Sequence, residues 1–154
     1  SDMSAIRDIT SIDLSNMNTL EDFSGLSALV NLTTLDLSST KIRSLEPLAN
    51  CTALVTLDLK ACYALRGTLD ALATCTSLTS VNVSYTYLED FSGLSALVNL
   101  TTLDLTGTNI RSLDPLAKCT KLKTLNLNFC KALTGSLDPL ANCTKLETLQ
   151  LYFC

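Results

Sequence analysis

Seven cysteines are the residues of this chain with the widest chemical repertoire, because thiolates coordinate metals, form disulfides and act as nucleophiles. Zinc sites require several cysteine or histidine ligands at short, fixed spacings. The chain has no histidine and no Cys-x-x-Cys pair. We therefore expect no metal and no cofactor. An odd number of thiols suits a reducing compartment, and we interpret the cysteines as small core residues.

Carboxylates and amides recur in one register, which we call the polar row: Asp13, Asp36, Asp58, Asn82, Asp104, Asn126 and Gln150. On neighbouring strands, two carboxylates would repel by about 1 kcal/mol even in a water-like dielectric. We therefore expect raised pKa values for Asp13, Asp36 and Asp58. Three explanations of the row stay open: a basic partner relieves the repulsion, hydrogen bonds from neighbouring threonines offset it, or the row only keeps the sheet soluble.

The remaining sequence contains no catalytic group. There is no nucleophile with a base partner and no phosphate-binding loop, and the carboxylates occur only as a ladder. The chain is therefore predicted not to be an enzyme. Its net charge of −4 argues against nucleic acid as a partner. No apolar run approaches the ~18 residues that a membrane span needs.

Five Asn-x-Ser/Thr sequons allow two interpretations: Asn31, Asn50, Asn82, Asn99 and Asn142. A secreted protein would be glycosylated at such sites. Alternatively, the tripeptide is simply how a repeat enters its strand, which we favour because a glycan on Asn82 would block the expected binding face. Absence of a recognisable signal peptide predicts a cytoplasmic protein, with a cell-surface or secreted protein as the alternative.

The elements that position these residues are seven copies of one pattern, L-x-x-L-x-L-x-x-(Thr/Cys), spaced 22 to 24 residues apart. In Thr34-Leu35-Asp36-Leu37-Ser38, apolar and polar residues alternate with period two, which predicts a short strand with leucines inward. Asp114-Pro115, Glu46-Pro47 and Asp138-Pro139 are predicted to cap short 3₁₀ or helical turns on the return. Stacked in parallel, the copies would bury a continuous leucine core.

This pattern resembles the leucine-rich repeat family over essentially the whole chain, so we expect one α/β domain spanning 1–154. The fold implied is a right-handed curved solenoid with a concave parallel sheet of about seven strands and short turns on the convex side. The 22-residue copies look like those of phosphatase-regulating repeat proteins and bacterial internalins, and the 24-residue copies like those of plant receptors. Where the family usually has an asparagine ladder, this chain has Thr40, Cys62, Thr86, Thr108, Cys130 and Cys154.

The sequence also contains a duplication of a unit larger than the single repeat. Residues 20–87 and 88–154 are one three-repeat block written twice, and 20–37 recurs without change at 88–105. Either a recent duplication or deliberate construction from a module explains this. The ends do not look like caps, because Met3 and Ile6 continue the apolar spacing and Cys154 stands in mid-repeat. We therefore expect a longer array, or self-association through the uncapped ends.

Aromatic residues and the polar row mark the expected binding surface. Lys60 and Ala61 of the first block become Asn128 and Phe129 in the second, and Tyr85 joins them in an aromatic rim. The resemblance implies a non-catalytic module that binds a protein partner through its concave face; a scaffold without a ligand is the alternative. The candidate contact residues are Asp36, Asp58, Lys60, Tyr85, Asp104, Asn126, Asn128, Phe129 and Tyr152.

Overall fold

The computed structural model describes residues 6–154, so Met3 lies outside the described residues. Seven strands form one parallel sheet in chain order, with each strand paired to its sequence neighbours. The strands are β1 Ser11–Asp13, β2 Thr34–Asp36, β3 Thr56–Asp58, β4 Ser80–Asn82, β5 Thr102–Asp104, β6 Thr124–Asn126 and β7 Thr148–Gln150. Six 3₁₀ segments follow the first six strands: η1 Ser24–Ala28, η2 Glu46–Leu48, η3 Asp70–Thr74, η4 Ser92–Ala96, η5 Asp114–Leu116 and η6 Asp138–Leu140.

This arrangement confirms the predicted solenoid, with the sheet on the concave side and the 3₁₀ segments on the convex side. One register holds from β1 to β7, so Leu35 pairs with Leu57, and Leu57 with Val81. Since the side-chain period of a strand is two, a constant register keeps every central strand residue on the inner face. Each of the 3₁₀ segments has five residues or fewer, and no described helix could cross a bilayer.

The inner face is a continuous apolar core. Leu35, Leu57, Leu103 and Leu125 are at most 1% exposed, and the corresponding residues of the outermost strands, Ile12 and Leu149, are partly buried. Burying one such side chain stabilises a fold by about 1.5 to 3 kcal/mol relative to exposure. Because one repeat cannot enclose its own leucines, most of this stabilisation comes from contacts between repeats.

The caps of the 3₁₀ segments differ from the prediction. Asp114 is the first residue of η5, and its side chain makes no capping hydrogen bond. Instead its backbone N–H donates to the Ser112 hydroxyl at 3.1 Å. Glu46 and Asp138 bond in the same way to Ser44 and Ser136. The prediction of capping carboxylates at these three Asp/Glu-Pro pairs is therefore wrong, because a hydroxyl two residues earlier already serves as the acceptor.

Convex packing is tight at Gly93 in η4. A methyl group added there would stand 2.8 Å from both the carbonyl carbon and the carbonyl oxygen of Leu69, which belong to the preceding repeat. Gly25 occupies the equivalent place in η1, yet an added methyl would meet no atom of residues 6–154 within 4 Å. The two glycines lie in identical sequence, 20–37 and 88–105. Within the described residues, only Gly93 has the backbone of another repeat within van der Waals distance of an added methyl group.

This pair of glycines provides an internal test of stacking. Gly93→Ala should destabilise the protein by about 1 to 3 kcal/mol, because backbone atoms must move apart. Gly25→Ala should leave stability unchanged or raise it by up to about 1 kcal/mol, since alanine reduces the entropy of the unfolded chain. Urea unfolding followed by circular dichroism measures both. Equal effects at the two glycines would show that the repeats are not stacked as described.

Candidate functional site

The polar row first of all ends the strands. The Oδ1 atom of Asp36 accepts a hydrogen bond from the Ser38 backbone N–H at 2.9 Å, and Asp58 accepts the same bond from Lys60. Asp13, Asn82, Asp104 and Asn126 make the equivalent bond two residues onward. Such turns suit Asp and Asn because their short side chains reach the backbone two positions ahead. The row therefore has a structural role that explains why Asp and Asn interchange in it.

Gln150 breaks this rule at the last strand. The acceptor for its turn comes from the neighbouring repeat instead: the Tyr152 N–H donates to the Asn128 side-chain oxygen at 2.7 Å. The Asn128 amide in turn donates to the Gln150 side-chain oxygen at 3.0 Å. The longer glutamine side chain thus bridges two repeats instead of closing its own turn.

The pKa expectation for the polar row is correct at one member and wrong at another. Burial raises the pKa of Asp58, and the charges of Asp36 and Asp104 add to the effect. The pKa of the exposed Asp13 is lowered instead, by hydrogen bonds from the Ser15 side chain and backbone. The offsetting bonds come from the residue two positions later and not from the threonines within the strands. At Asp36 the Ser38 hydroxyl contributes one, at 2.6 Å.

Hydrogen bonding between repeats continues beyond the strands. The second residue after each inward leucine or valine has a positive φ, as at Ser39 (56°), Tyr85 (55°) and Phe129 (61°). Its N–H donates to a carbonyl of the next repeat: Tyr85 to Thr106 and Phe129 to Tyr152, both at 2.8 Å. A non-glycine residue in the left-handed region costs roughly 1 to 2 kcal/mol. Only Gly107 meets this geometry without cost, and its missing side chain makes room for the Tyr85 ring.

These left-handed residues and their neighbours form a segment that we call the post-strand rim, which is at least partly exposed except at Ser84 and Thr106. It contains the first, second and fourth residues after each inward residue that follows a strand: Ser15, Asn16, Asn18, Ser38, Ser39, Lys41, Lys60, Ala61, Tyr63, Ser84, Tyr85, Tyr87, Thr106, Gly107, Asn109, Asn128, Phe129, Lys131, Tyr152 and Phe153. The third residue of each set points inward, as Thr40 and Cys62 do.

Every exposed aromatic residue of the chain lies on this rim. The chain has four tyrosines and four phenylalanines, and Phe23 and Phe91 are buried in the core. The other six are between 38% and 63% exposed: Tyr63, Tyr85, Tyr87, Phe129, Tyr152 and Phe153. Scattered exposed apolar residues need no explanation, but six exposed rings on one surface make the rim the candidate site of interaction.

Contacts with neighbouring side chains hold several of these rings in two clusters. Phe129 packs against Phe153 with 5.4 Å between ring centroids, and against the Tyr152 ring edge-on at 6.1 Å. Farther along the rim the Arg66 guanidinium lies over the Tyr87 ring, 4.5 Å from its centroid. The same group donates to the Tyr63 carbonyl at 2.7 Å. Packing of this kind holds exposed rings in place without burying them.

The candidate contact residues divide between two neighbouring surfaces. Asp36, Asp58, Asp104 and Asn126 belong to the polar row, and Lys60, Tyr85, Asn128, Phe129 and Tyr152 to the post-strand rim. Sequence reasoning missed Tyr63, Arg66 and Tyr87. A comparison of the two blocks could have found the first two, because their counterparts are Lys131 and Thr134.

Divergence between the blocks concentrates on the rim. All eight pairs of rim residues that both blocks contain differ, such as Lys60 and Asn128 or Ala61 and Phe129. Of the 11 pairs of residues that lie in 3₁₀ segments in both blocks only two differ. The blocks also diverge just before the strands. There, neutral residues of the first block are replaced in the second block by Lys118, Lys121, Lys123 and Lys145. We interpret those exposed lysines as a solubilising face, which leaves the rim as the candidate contact surface.

Six of the seven cysteines serve the core, and their interpretation as core residues is wrong only for Cys154. Cys51, Cys62, Cys75, Cys119, Cys130 and Cys143 are buried, and Cys154 is exposed; none is in a disulfide. Each thiol donates to a carbonyl of the preceding repeat, for example Cys62 to Leu37 at 3.0 Å and Cys51 to Leu26 at 3.4 Å. No cluster of three or more Cys, Asp or Glu able to hold a metal occurs within residues 6–154. Burial raises the pKa of Cys51 and Cys119 to about 11.

The sequons occupy different environments. The Asn31 and Asn99 side-chain amides donate to the Arg7 and Thr76 carbonyls of the preceding repeat, at 2.7 and 2.8 Å. Asn82 ends β4 and holds its turn through Oδ1. At these three positions the asparagine has a structural role in the repeat, in line with the favoured interpretation of the tripeptide.

Comparison with known proteins agrees with this geometry. A family model for leucine-rich repeats in two copies matches residues 30–66 and 98–135. The crystal structure of internalin C2 from Listeria monocytogenes is similar with a TM-score of 0.70 and 21% identity, over 98% of this chain and 84% of that one. The plant peptide hormone receptor RGFR1, solved in complex with RGF2, is similar with a TM-score of 0.72 and 21% identity. That match covers 84% of this chain but only 22% of the receptor. Among curated proteins, none matches significantly.

Asp58 provides a test of the polar row by pH. A carboxyl whose pKa is raised by folding stabilises the protein below its unfolded pKa, and that contribution is lost as the pH rises through the folded pKa. Asp58→Asn keeps the turn, as Asn126 does at the same place in the second block. The free energy of unfolding of the variant minus that of the wild type should therefore be larger at pH 7 than at pH 3. Urea unfolding at both pH values measures this, and a difference of opposite sign would contradict it.

Thiol reactivity tests the role of the cysteines. At pH 8 a thiol with a pKa of about 11 is roughly 100-fold less ionised than one with a pKa near 9. A chromogenic disulfide reagent should thus modify Cys154 rapidly and the six buried cysteines only after denaturant is added. Cys154→Ser is the matched control, because it should abolish the rapid phase. Rapid reaction of two or more thiols in the native protein would overturn the structural role.

Proposed function

This chain belongs to the leucine-rich repeat family, and we propose that it is a non-catalytic module that binds a protein partner through its concave side, with the post-strand rim as the main contact surface. Leucine-rich repeat proteins generally mediate protein–protein interactions. The concave side is the surface on which side chains from seven repeats lie side by side. The single observation that carries the proposal is the confinement of all six exposed aromatic rings to the rim.

Energetic considerations favour the rim over the strands. Aromatic residues and arginine dominate binding energy in protein interfaces, because they bury a large area and lose little side-chain entropy. Tyr85 and Phe129 occupy left-handed backbone positions that a glycine or an asparagine would adopt more easily. A large side chain retained at such a place is better explained by contacts outside the fold than by contacts within it. The polar row already has its turn-closing role.

A rigid backbone supports this surface. The rim residues are joined to the next repeat by bonds such as Ser39 to Lys60 and Ala61 to Ser84, both 2.9 Å. A partner therefore meets side chains at a regular spacing of about 4.8 Å along the stack. Pre-organised contacts of this kind reduce the entropy lost on binding.

The scaffold alternative is weakened by the same comparison of blocks. Identity between 20–37 and 88–105 is what a scaffold requires, since those residues form β2, β5 and two equivalent 3₁₀ segments. A scaffold without a ligand has no reason to vary its rim at every shared position while its 3₁₀ segments stay nearly constant.

Capture with matched baits tests the proposal. The rim bait carries Tyr85→Gly and Phe129→Ala, which are residue types that the same rim position already holds at Gly107 and Ala61. The control bait carries Asn50→Lys on the convex side, the residue type found at the equivalent Lys118. A partner captured by the wild type should bind the control equally and the rim bait at least about tenfold more weakly, by direct titration.

Equal titration curves for the rim bait and the wild type would contradict the proposed function. Thermal melting of each bait shows whether it is folded, so that loss of capture is not mistaken for loss of structure. The rim substitutions should change the melting temperature little: Tyr85→Gly removes the left-handed strain, and Phe129→Ala keeps a backbone geometry that Ala61 already adopts while losing only contacts between exposed rings.

A further inference from the structure

The charge of the rim is opposite to that of the whole chain. The rim contains Lys41, Lys60 and Lys131 and no carboxylate, whereas the chain has a net charge of −4. Arg66 adds a fourth positive charge through its contact with Tyr87. We infer that the rim binds an extended acidic segment of the partner, in which carboxylates flank apolar side chains. This inference rests on the proposed function and specifies the chemistry of its partner.

Two grooves on the rim combine a lysine with aromatic rings. One, of about 260 Å³, is lined by Lys41 and Tyr63 between repeats 2 and 3. The other, of about 490 Å³, is lined by Lys131, Phe129 and Phe153 between repeats 6 and 7. An ammonium group beside an apolar wall suits a carboxylate with an apolar neighbour, because the charge and the methylene groups are each matched.

Arg66 lies between these grooves and is already oriented. Its Nη1 donates to the Tyr63 carbonyl at 2.7 Å and the Leu65 carbonyl at 3.3 Å, while the guanidinium plane rests near the Tyr87 ring. Within residues 6–154 only Nη1 of this group makes hydrogen bonds. A fixed guanidinium with free donors binds a carboxylate at a smaller entropic cost than a mobile side chain does.

The spacing of the grooves sets the length of the segment. Repeats 2 and 6 are four strand spacings apart, or about 19 Å. An extended chain covers this distance in about six residues. The carboxylates of the polar row adjoin the rim on its concave side, and they keep an acidic segment on the outer edge of the rim. The structure thus favours a segment of about eight residues with carboxylates at both ends and apolar residues between them.

A synthetic probe tests this chemistry. The probe is a fluorescein-labelled eight-residue peptide with two glutamates at each end and serine, leucine, phenylalanine and glycine between them. Its twin carries lysine in place of every glutamate. Fluorescence anisotropy of each peptide is measured against the full chain at low salt. The acidic peptide should bind at least about tenfold more tightly than the twin, and salt should weaken its binding.

Variants that copy the other block locate the binding. Arg66→Thr introduces the residue type of Thr134 and should weaken the acidic peptide about three- to tenfold. Lys41→Asn copies Asn109 and should weaken it about two- to fivefold. Lys123→Val copies Val55 and removes the same charge at the edge before β6, so it should change binding by less than about twofold.

The outcomes separate this inference from the proposed function. Equal weakening by Arg66→Thr and Lys123→Val would show attraction to charge in general and overturn the acidic segment. Tighter binding of the lysine twin, lost in Asp58→Asn, would overturn it as well and move recognition to the polar row, leaving a concave binding module in place. The proposed function itself is contradicted only if the rim bait binds the captured partner as tightly as the wild type does.

Discussion

The structure depends on backbone hydrogen bonds that join each repeat to the next in one unchanging register. They begin before the strand, where the Val55 N–H donates to the Thr33 carbonyl at 2.8 Å, and they continue to the left-handed residue after it. Because the bonds involve only backbone atoms, they fix the direction of every side chain independently of its type. A leucine row, a polar row and a rim follow from this single constraint.

The leucine row, the polar row and the rim therefore accept different ranges of residue types. Inward residues must fill a close-packed core, so they are mostly leucine, isoleucine, valine and cysteine, with two phenylalanines and a few threonines that bond to the backbone. The polar row must close a turn, so it alternates between aspartate and asparagine until Gln150. Rim side chains neither fill the core nor close the turn, because backbone N–H and C=O groups hold this segment in place. It therefore accepts lysine, alanine, tyrosine or phenylalanine, at a cost of roughly 1 to 2 kcal/mol for each left-handed non-glycine residue.

Sequence alone predicted the strands, the inward leucines and the buried cysteines, because all of them follow from a periodicity that is visible in the letters. It did not predict the left-handed turn, since Ser39, Ala61, Tyr85 and Phe129 share no turn-forming chemistry, and Asn16 and Gly107 alone suggest it. The lowered pKa of Asp13 was missed because repulsion along the row was considered without the Ser15 hydrogen bonds. Tyr63 and Tyr87 were missed because they lie five residues beyond the ends of β3 and β4, where the period-two pattern of a strand no longer applies. Only the bonds between repeats show that this loop is a continuation of the sheet.

Hydrogen exchange at the rim tests the account most directly, because a surface built by the backbone must be protected like the sheet. The amides of Ala61 and Tyr85, which donate to the next repeat at 2.9 and 2.8 Å, should exchange as slowly as the strand-end amide of Leu59, bonded at 2.7 Å. Amide exchange resolved by residue with nuclear magnetic resonance makes this comparison. If Ala61 and Tyr85 exchange at the rate of an unstructured loop while Leu59 is protected, the rim is not held by the stack and the account fails.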